Sequence, residues 1–399
     1  MRNGTPGFNR AKLVEAREAR GIITREAMAK RIGRSASTVQ RWEEGDSSPE
    51  PDALRLLAEA LHVRPEHFVR ESVDEPKPVF FRSLASALKR EKAYQRARIV
   101  WLQDIARVIQ HYVELPAVDL PDVLAGTSFK MLRGDDIERI ARDLRAHWKL
   151  GDGPCPDVVA HMERIGFVVA SEEMGTVKLD GLCKWSDVEA RPYVLLAADK
   201  MSFARRQMDA AHEMSHGVLH RGLTESELKE NFELIEEQAF RLASAFLLPH
   251  TSYPEEVRAL SLPAFEVLKQ RWKVSIKAQI RRLKELDIID VEYARVLYKA
   301  YSAKGWTRGE PFDDVWPLQR PRALAEGLNA IVDAQVRTKS ELLNSDFTVP
   351  AADVESLCGL PEGWFGRDQG SIVRLVPRIV EKHNRSNNAS VLPFKSDDS

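Results

Sequence analysis

Cysteine is scarce in this chain, with three residues among 399, and their spacing is not that of a metal knuckle. We therefore expect reduced thiols and no disulfide framework. Long hydrophobic runs are lacking as well, since none approaches the length of a membrane helix, about 18 residues, and the N-terminus has no apolar signal-peptide core. These absences predict a cytoplasmic protein with no membrane partner.

Excess charge of one sign is also lacking, because 59 Lys and Arg face 60 Asp and Glu over the whole chain. The first 45 residues differ, since they hold ten Lys or Arg and five Glu, a local balance of +5 (ten minus five). A basic segment in an otherwise neutral chain favours binding to the phosphates of double-stranded DNA. The length predicts about two to four domains. The 43% hydrophobic and 30% charged residues are typical of soluble globular proteins.

Histidine is infrequent too, at ten residues, yet two of them stand in the string H-E-M-S-H over residues 212–216. Residues four apart lie on one face of an α-helix, so His212 and His216 can place two imidazole nitrogens on one divalent metal. Glu213 stands beside them, where it can take a proton from a water on that metal. This H-E-x-x-H arrangement is the one that zinc hydrolases use.

A catalytic zinc site has three protein ligands and leaves one position for water. The third ligand is expected on the helix that residues 235–248 predict, which ends before Pro249. Glu236 shares its helix face with apolar residues, whereas Glu237 lies on a polar face. We therefore predict Glu236 as the ligand and keep Glu237 as the alternative. His220 extends the row of histidines, but a helix rise of about 12 Å excludes it as a ligand of the same metal and indicates a helix-end residue.

Three short strand patterns precede the histidine motif, at residues 166–170, 182–185 and 193–197. They predict a small sheet packed on the metal-binding helices, one edge of which can hold an extended peptide. The other patterns are helical, so the predicted fold class is mainly α with a small β-sheet (α+β). Cys183 lies on the middle strand, and we interpret it as a buried thiol, with a latent zinc ligand as the alternative.

The basic N-terminal segment has the pattern of five short helices over residues 9–70. Thr24 and Ser35 can cap the second and third of these helices. The pattern resembles a helix-turn-helix of the Cro/cI (XRE) type, and the string S-T-V-Q-R-W-E-E-G over residues 37–45 resembles its recognition helix. One departure is that the stretch over residues 21–29 is a residue longer than usual.

This resemblance implies that the third helix enters the major groove of DNA. The residues predicted to contact DNA are Arg25, Ser35, Ser37, Thr38, Gln40 and Arg41. Ser37, Gln40 and Arg41 suit base edges, and Arg25 suits a phosphate. Because one such domain reads one half-site, we expect a homodimer on an operator. The alternative is a dimerisation module of the same fold that does not bind DNA.

A second resemblance rests on the residues around the histidine motif. The string R-R-Q-M-D-A-A-H-E-M-S-H-G-V-L-H over residues 205–220, followed by Glu236 and by F-L-L-P at residues 246–249, resembles the ImmA/IrrE-type metallopeptidases. The similarity covers roughly residues 135–311 and departs at residues 239–243, where A-F-R-L-A replaces the family's A-N-x-F-A. It implies a Zn²⁺-dependent endopeptidase that cleaves a repressor or an antitoxin. Mn²⁺ suits the same two imidazoles and one carboxylate.

We predict four segments along the chain. Residues 1–73 form the helix-turn-helix domain, 74–125 a linker with bridging helices, 126–311 the metallopeptidase domain with a trailing helix-turn-helix-like stretch, and 312–399 a helical region with a disordered tail. The predicted function is a DNA-binding transcription regulator whose zinc peptidase cleaves a partner repressor or antitoxin. The alternative is a regulator whose metal pocket senses a peptide or small ligand without turnover. A further hypothesis is that residues 312–383 hold the peptidase latent.

Overall fold

The computed structural model describes residues 4–72, 78–81, 89–176, 179–199 and 202–367. Its N-terminal part is a bundle of short helices: α1 (Arg10–Ala19), α2 (Arg25–Arg31), α3 (Ala36–Glu44), α4 (Pro51–Leu61) and a 3₁₀ turn at Pro65–Val69. The side chains of Thr24 and Ser35 cap α2 and α3 by accepting hydrogen bonds from backbone N–H groups of the first turn. Gly45 ends α3 in the left-handed conformation, with φ of 88°. The predicted helix-turn-helix is confirmed.

Two arginines close this bundle around the carboxylate of Glu43, a contact that helical periodicity does not reveal. Arg17 Nε lies 2.6 Å from one oxygen of Glu43, and Arg25 Nε lies 2.8 Å from the other. Arg17 and Glu43 are buried, so each charge depends on its partner. The ion pairs therefore tie α1, α2 and α3 together.

Helix α5 (Lys89–Gln110) bridges the two halves of the protein, as the helical pattern before residue 113 predicts. Its apolar face, which includes Trp101, Leu102 and Ile105, is fully or almost fully buried. Helix α1 packs against α5, and the Nζ atom of Lys12 binds the carboxylate of Asp104 there. Both side chains are buried, so this pair joins the N-terminal bundle to the rest of the chain through charges that have little access to water.

Within the described residues, four strands form one mixed sheet: β1 (Val79–Phe81), β2 (Val168–Glu172), β3 (Gly181–Ser186) and β4 (Arg191–Ala197). The strand order is β1-β3-β4-β2, with β1 and β4 antiparallel to β3 and with β2 parallel to β4. The three predicted strands are therefore present. Strand β1 was not predicted from the sequence, because the three residues that follow Pro78 are too few for an alternating pattern.

The sheet separates two hydrophobic cores. Alternate residues of its strands, such as Leu182 and Leu195, face a core shared with α5 and the N-terminal bundle. Their neighbours, such as Cys183 and Val194, face a second core built by the helices that follow. Every residue of β4 is buried, because this central strand is covered on both faces.

In the part of the chain that the structure describes, nine helices enclose the second core. They are α6 (Gly134–His147), α7 (Val158–Arg164), α8 (Phe203–Leu219), α9 (Glu225–Glu230), α10 (Phe232–Leu247), α11 (Tyr253–Glu256), α12 (Leu262–Trp272), α13 (Ile276–Glu285) and α14 (Val291–Ala303). Helix α8 packs on β3, and α10 packs on both α8 and α6. In the helix-turn-helix-like stretch, Arg282 is fully buried and binds Glu138 of α6 at 2.6 and 2.7 Å, so α13 shapes this domain.

The C-terminal helices return to the first core. They are α15 (Ala323–Asp333), α16 (Lys339–Glu341), which continues into a π-helical turn (Leu342–Asp346), and α17 (Ala351–Cys358). Asp353 on α17 lies 2.8 Å from Arg20 of α1 and also binds Arg98 of α5. The tail that was predicted to be disordered lies outside the described residues. Within the described ranges, no helix combines the length and the apolar character that a bilayer crossing requires.

The buried pair of Lys12 and Asp104 leads to a prediction about stability. Replacing Asp104→Ala leaves the buried Lys12 ammonium with Glu15, at 3.0 Å, as its remaining carboxylate partner, and we expect the free energy of unfolding to fall by about 1–3 kcal/mol. Chemical denaturation of the full chain measures this loss. The control is Asp52→Ala, which removes an exposed carboxylate 3.8 Å from exposed Arg55 and should cost less than about 1 kcal/mol. Equal losses in the two variants would contradict the prediction.

Candidate metal centre

Helix α8 brings the two motif histidines together. His212 and His216 are each about 1% exposed, and their Nε2 atoms are 3.1 Å apart. Helix α10 supplies Glu236, whose Oε2 lies 3.4 Å from Nε2 of His212 and whose Oε1 lies 3.3 Å from Nε2 of His216. Among the described residues, these three are the group of His, Cys, Asp and Glu whose possible ligand atoms converge.

The three distances fit one metal ion. A tetrahedral zinc with bonds of about 2.0–2.1 Å to nitrogen and oxygen holds its ligand atoms about 3.3 Å apart. The two nitrogen atoms are 3.1 Å apart, and each lies 3.3–3.4 Å from one of the two carboxylate oxygens of Glu236, so the observed separations are close to this spacing. Two imidazoles and a carboxylate are also a donor set that zinc accepts, and three protein ligands leave a position open.

The carboxylate of Glu236 is held in its charged form. Burial by itself would raise its pKa, but the interactions with the adjacent imidazoles of His212 and His216 outweigh burial and hold the pKa well below its usual range. Glu237, the alternative ligand, is exposed on another face of α10. The geometry therefore favours Glu236, the residue that helix periodicity predicts.

Glu213 is buried next to the sheet, beside the three converging residues. A Cβ atom added to Gly181, the first residue of β3, would lie 2.8 Å from Oε1 of Glu213. A side chain at position 181 would therefore displace this carboxylate. Cys183 lies two residues further along β3, and burial, followed by the charge of Glu213, raises the pKa of its thiol well above the usual value. Cys183 is fully buried in the second core and is not among the converging ligand atoms of the described residues, which supports its interpretation as a buried thiol.

The exposed face of α3 carries Ser37, Gln40 and Arg41. These are the three side chains that were predicted to reach base edges, and Gln40 Nε2 donates a hydrogen bond to Glu44 at 3.0 Å. Three further cations, Lys30, Arg31 and Arg34, are exposed on α2 and on the turn before α3. This surface is basic and open, as a nucleic-acid interface requires.

The other predicted DNA contacts take part in the bundle's own structure. Ser35 caps α3, and the hydroxyl of Thr38 lies 2.8 Å from that of Ser35. Arg25 binds both Glu43 and Glu44, so its guanidinium is anchored at the start of α2. These contacts place all three at the edge of the exposed α3 surface, and their contact with DNA stays a prediction.

Comparison with known families assigns both parts of the chain. Residues 13–68 match a family described as helix-turn-helix, and residues 162–284 match a family of M78 peptidases described as an IrrE N-terminal-like domain. The chain fuses an XRE-type helix-turn-helix domain to an IrrE-like domain. Both resemblances drawn from the sequence are thereby confirmed. No curated protein gives a significant match to the chain.

A series of hydrogen bonds connects the candidate metal ligand His216 of the IrrE-like domain to residues further from the site. His216 Nδ1 lies 3.1 Å from His220 Nδ1, and His220 Nε2 lies 3.2 Å from Oε1 of Gln238. The amide nitrogen of Gln238 donates to the backbone carbonyl of Phe129 at 2.7 Å. His220 is therefore the helix-end residue that was predicted, since it is the C-cap of α8. Its contact with His216 was not predicted.

The carbonyl of Phe129 fixes which groups donate in this series of hydrogen bonds, because a carbonyl oxygen can only accept a hydrogen bond. Gln238 must turn its NH₂ group to Phe129 and its oxygen to His220, so His220 donates from Nε2. Burial, and then the nearby His216, lower the pKa of His220 to about 3, so its Nδ1 is bare and accepts. His216 consequently carries its proton on Nδ1, which leaves the lone pair of Nε2 available to a metal ion. Such outer partners orient metal-binding histidines.

The hydrogen-bond chain predicts the effect of Gln238→Leu, a change of similar volume that removes both polar atoms. We expect zinc affinity to fall by about 10–100-fold, because His220 loses the acceptor that sets its tautomer. Competition with a coloured zinc chelator measures this affinity. The matched control is Glu237→Gln, on the exposed face of the same helix, which should bind zinc as the unaltered protein does. Unchanged affinity in Gln238→Leu would show that the chain does not orient His216.

Proposed function

We propose that this protein is a DNA-binding transcription regulator that cleaves a partner protein, a repressor or an antitoxin, with its IrrE-like domain. The convergence of His212, His216 and Glu236 at distances of 3.1–3.4 Å carries this proposal. The family matches support its two coarser parts, since a helix-turn-helix domain implies DNA binding and a peptidase domain implies a protein substrate.

The proposed reaction is hydrolysis of a peptide bond. Zn²⁺, or Mn²⁺ in its place, would be held by His212, His216 and Glu236 and would supply a Lewis acid and a water of lowered pKa. Glu213 takes the proton of the attacking water and passes it to the leaving amine nitrogen. Its place against Gly181 supports this role, because the missing side chain leaves room for the carboxylate beside the site.

The N-terminal domain would direct the peptidase to a particular site on DNA. Its exposed α3 surface and basic surroundings would hold the protein on an operator, where a repressor that controls the same promoter is concentrated. A homodimer would read two half-sites, and cleavage of the repressor would relieve repression. Both domains would then act on the same regulatory complex.

The catalytic role of Glu213 predicts the outcome of Glu213→Gln. Cleavage should fall by about 100-fold or more, since glutamine cannot accept the water's proton, while bound zinc should remain at one equivalent because the three ligands are intact. Gel analysis of the zinc-loaded protein mixed with the products of neighbouring genes measures cleavage, and elemental analysis measures zinc. Glu237→Gln is the control and should retain both.

The results of this experiment separate the proposed peptidase from a sensor. Fragments at the unaltered rate from Glu213→Gln would overturn the mechanism. Absence of fragments from every mixture, together with DNA binding that changes when a peptide is added, would favour the regulator whose metal pocket senses a ligand.

The exposed α3 surface predicts a loss of DNA recognition in Gln40→Ala and in Arg41→Ala. Each change removes a side chain suited to a base edge, which should weaken binding by about 1–3 kcal/mol. DNA fragments selected by the protein from a random pool serve as the ligand, at one fixed salt concentration. Arg55→Ala on α4 is the control, because it removes an exposed cation from another helix. Equal affinity of all these proteins would exclude α3 as the recognition helix.

A further inference from the structure

Strand β1 occupies the edge of the sheet. It pairs with β3 in antiparallel register, with Val79 opposite Lys184, Phe80 opposite Cys183 and Phe81 opposite Leu182. The other side of β3 is taken by β4. Without β1, therefore, β3 would present a row of free backbone N–H and C=O groups.

This edge borders the metal centre. Gly181, at the start of β3, lies against the carboxylate of Glu213, and the charge of Glu213 also acts on the thiol of Cys183. A sheet edge with unpaired backbone groups binds extended polypeptides by adding a strand. A peptide bond that Glu213 and the three ligands could reach would lie along β3, and β1 fills this position.

Phe80 is the side chain of β1 that points to the centre. Its ring stacks on the ring of His216, with centroids 4.7 Å apart and planes at 15°. It also lies 6.1 Å from the ring of His220, which Phe129 contacts edge-on from 6.0 Å. Phe80 is only 3% exposed, so its ring fills a closed aromatic slot beside a predicted metal ligand.

The neighbouring side chain has a different environment. Val79 belongs to the core on the opposite face of the sheet, whereas Phe80 belongs to the core that contains α8. This alternation follows from the pleat of the strand. The two positions therefore form a natural pair for experiment, because one side chain covers the metal centre and the other does not.

We propose that β1 is an internal occupant of the substrate-binding edge, so that the chain's own residues 79–81 close the peptidase. The inference rests on the proposed function and adds its regulation and a substrate class. A substrate would displace β1, pair with β3 as an extended strand and place a large apolar side chain in the slot of Phe80. Among the described residues, displacement exchanges three residue pairs, and Pro78 has no N–H group with which to lengthen the ladder at its own end.

This assignment differs from the earlier hypothesis that residues 312–383 hold the peptidase latent. Helices α15 and α17 contribute to the core on the α5 side of the sheet. His212 and His216 lie on α8, which packs on the other side. The described C-terminal helices are therefore separated from the metal centre by the sheet, whereas β1 contacts a predicted ligand directly.

The test compares Phe80→Ala with Val79→Ala in the zinc-loaded full-length protein. One readout is the rate at which a chelator removes zinc, and the second is the rate at which β-casein, an unfolded protein, is cut. We expect Phe80→Ala to raise both rates by at least ~10-fold. The change removes the aromatic ring that covers His216 and weakens the hold of β1 on the edge of β3. Val79→Ala, which shortens a buried side chain on the other face, should leave both rates near those of the unaltered protein.

A peptide added in trans separates opening from damage to the fold. The synthetic peptide P-K-P-V-F-F-R-S-L, which is the sequence of residues 76–84, should slow both rates of Phe80→Ala by refilling the edge. The same peptide with alanine at the fifth position should not slow them. Failure of the first peptide to slow either rate would overturn the proposal.

The remaining outcomes are also decisive. Rates in Phe80→Ala equal to those of the unaltered protein, with casein cut by both, would overturn the internal occupant and leave the peptidase standing. Faster zinc loss in Phe80→Ala with casein cut by neither would support the Phe80 ring as a cover of the metal site and overturn the displacement of β1 by an extended substrate, whereas the Glu213→Gln experiment tests the proposed function separately. Equal acceleration by Val79→Ala would overturn the assignment of the cover to the Phe80 ring.

Discussion

The candidate metal site requires close packing of α10 against α8. Helical periodicity alone puts His212 and His216 on one face, but the third donor must come from another helix that approaches closely. Ala239 and Ala243 follow Glu236 along α10 and are fully buried, so no long side chain holds the helices apart. Helix α8 also lies close to the sheet, because a Cβ atom on Gly217 would lie 2.8 Å from the ring of Phe167, which precedes β2, and 3.5 Å from Pro192 of β4. Small residues thus allow α10 to pack closely against α8, and Glu236 lies between the two helices.

The sheet gives the protein two sides with different chemistry. On one side, α5, the N-terminal bundle and the C-terminal helices share a core and bury charged pairs such as Lys12 with Asp104. On the other side lie α8, α10 and the metal-site residues. Strand β1 takes part in both cores, since Val79 lies in the first and Phe80 in the second. The strand that follows the helix-turn-helix domain in the chain is therefore also the strand that lies on the candidate metal centre.

Several features followed directly from local patterns. The caps at Thr24 and Ser35, the end of α10 before Pro249 and the three longer strands were all predicted, because each depends on residues close in sequence. Other features did not follow, since they join residues far apart in the chain. The ion pairs of Glu43 and the chain of hydrogen bonds from His216 to Phe129 involve side chains whose identity alone names no partner. The role of Gly181 also could not be predicted, because a glycine at the start of a strand indicates a close approach only once Glu213 is found beside it.

Local sequence patterns were enough to identify the residue types that could bind a metal and the helix faces that they occupy, because a helix repeats every 3.6 residues whatever surrounds it. They also identified the two families and the basic character of the first 45 residues. The three-dimensional fold was needed to show that Glu236 reaches both imidazoles, that His220 sets the tautomer of His216 and that three residues near Pro78 form a strand over the site. Distances between helices, the direction of a hydrogen-bond chain and the pairing of a sheet edge depend on packing, and packing is a property of the whole chain.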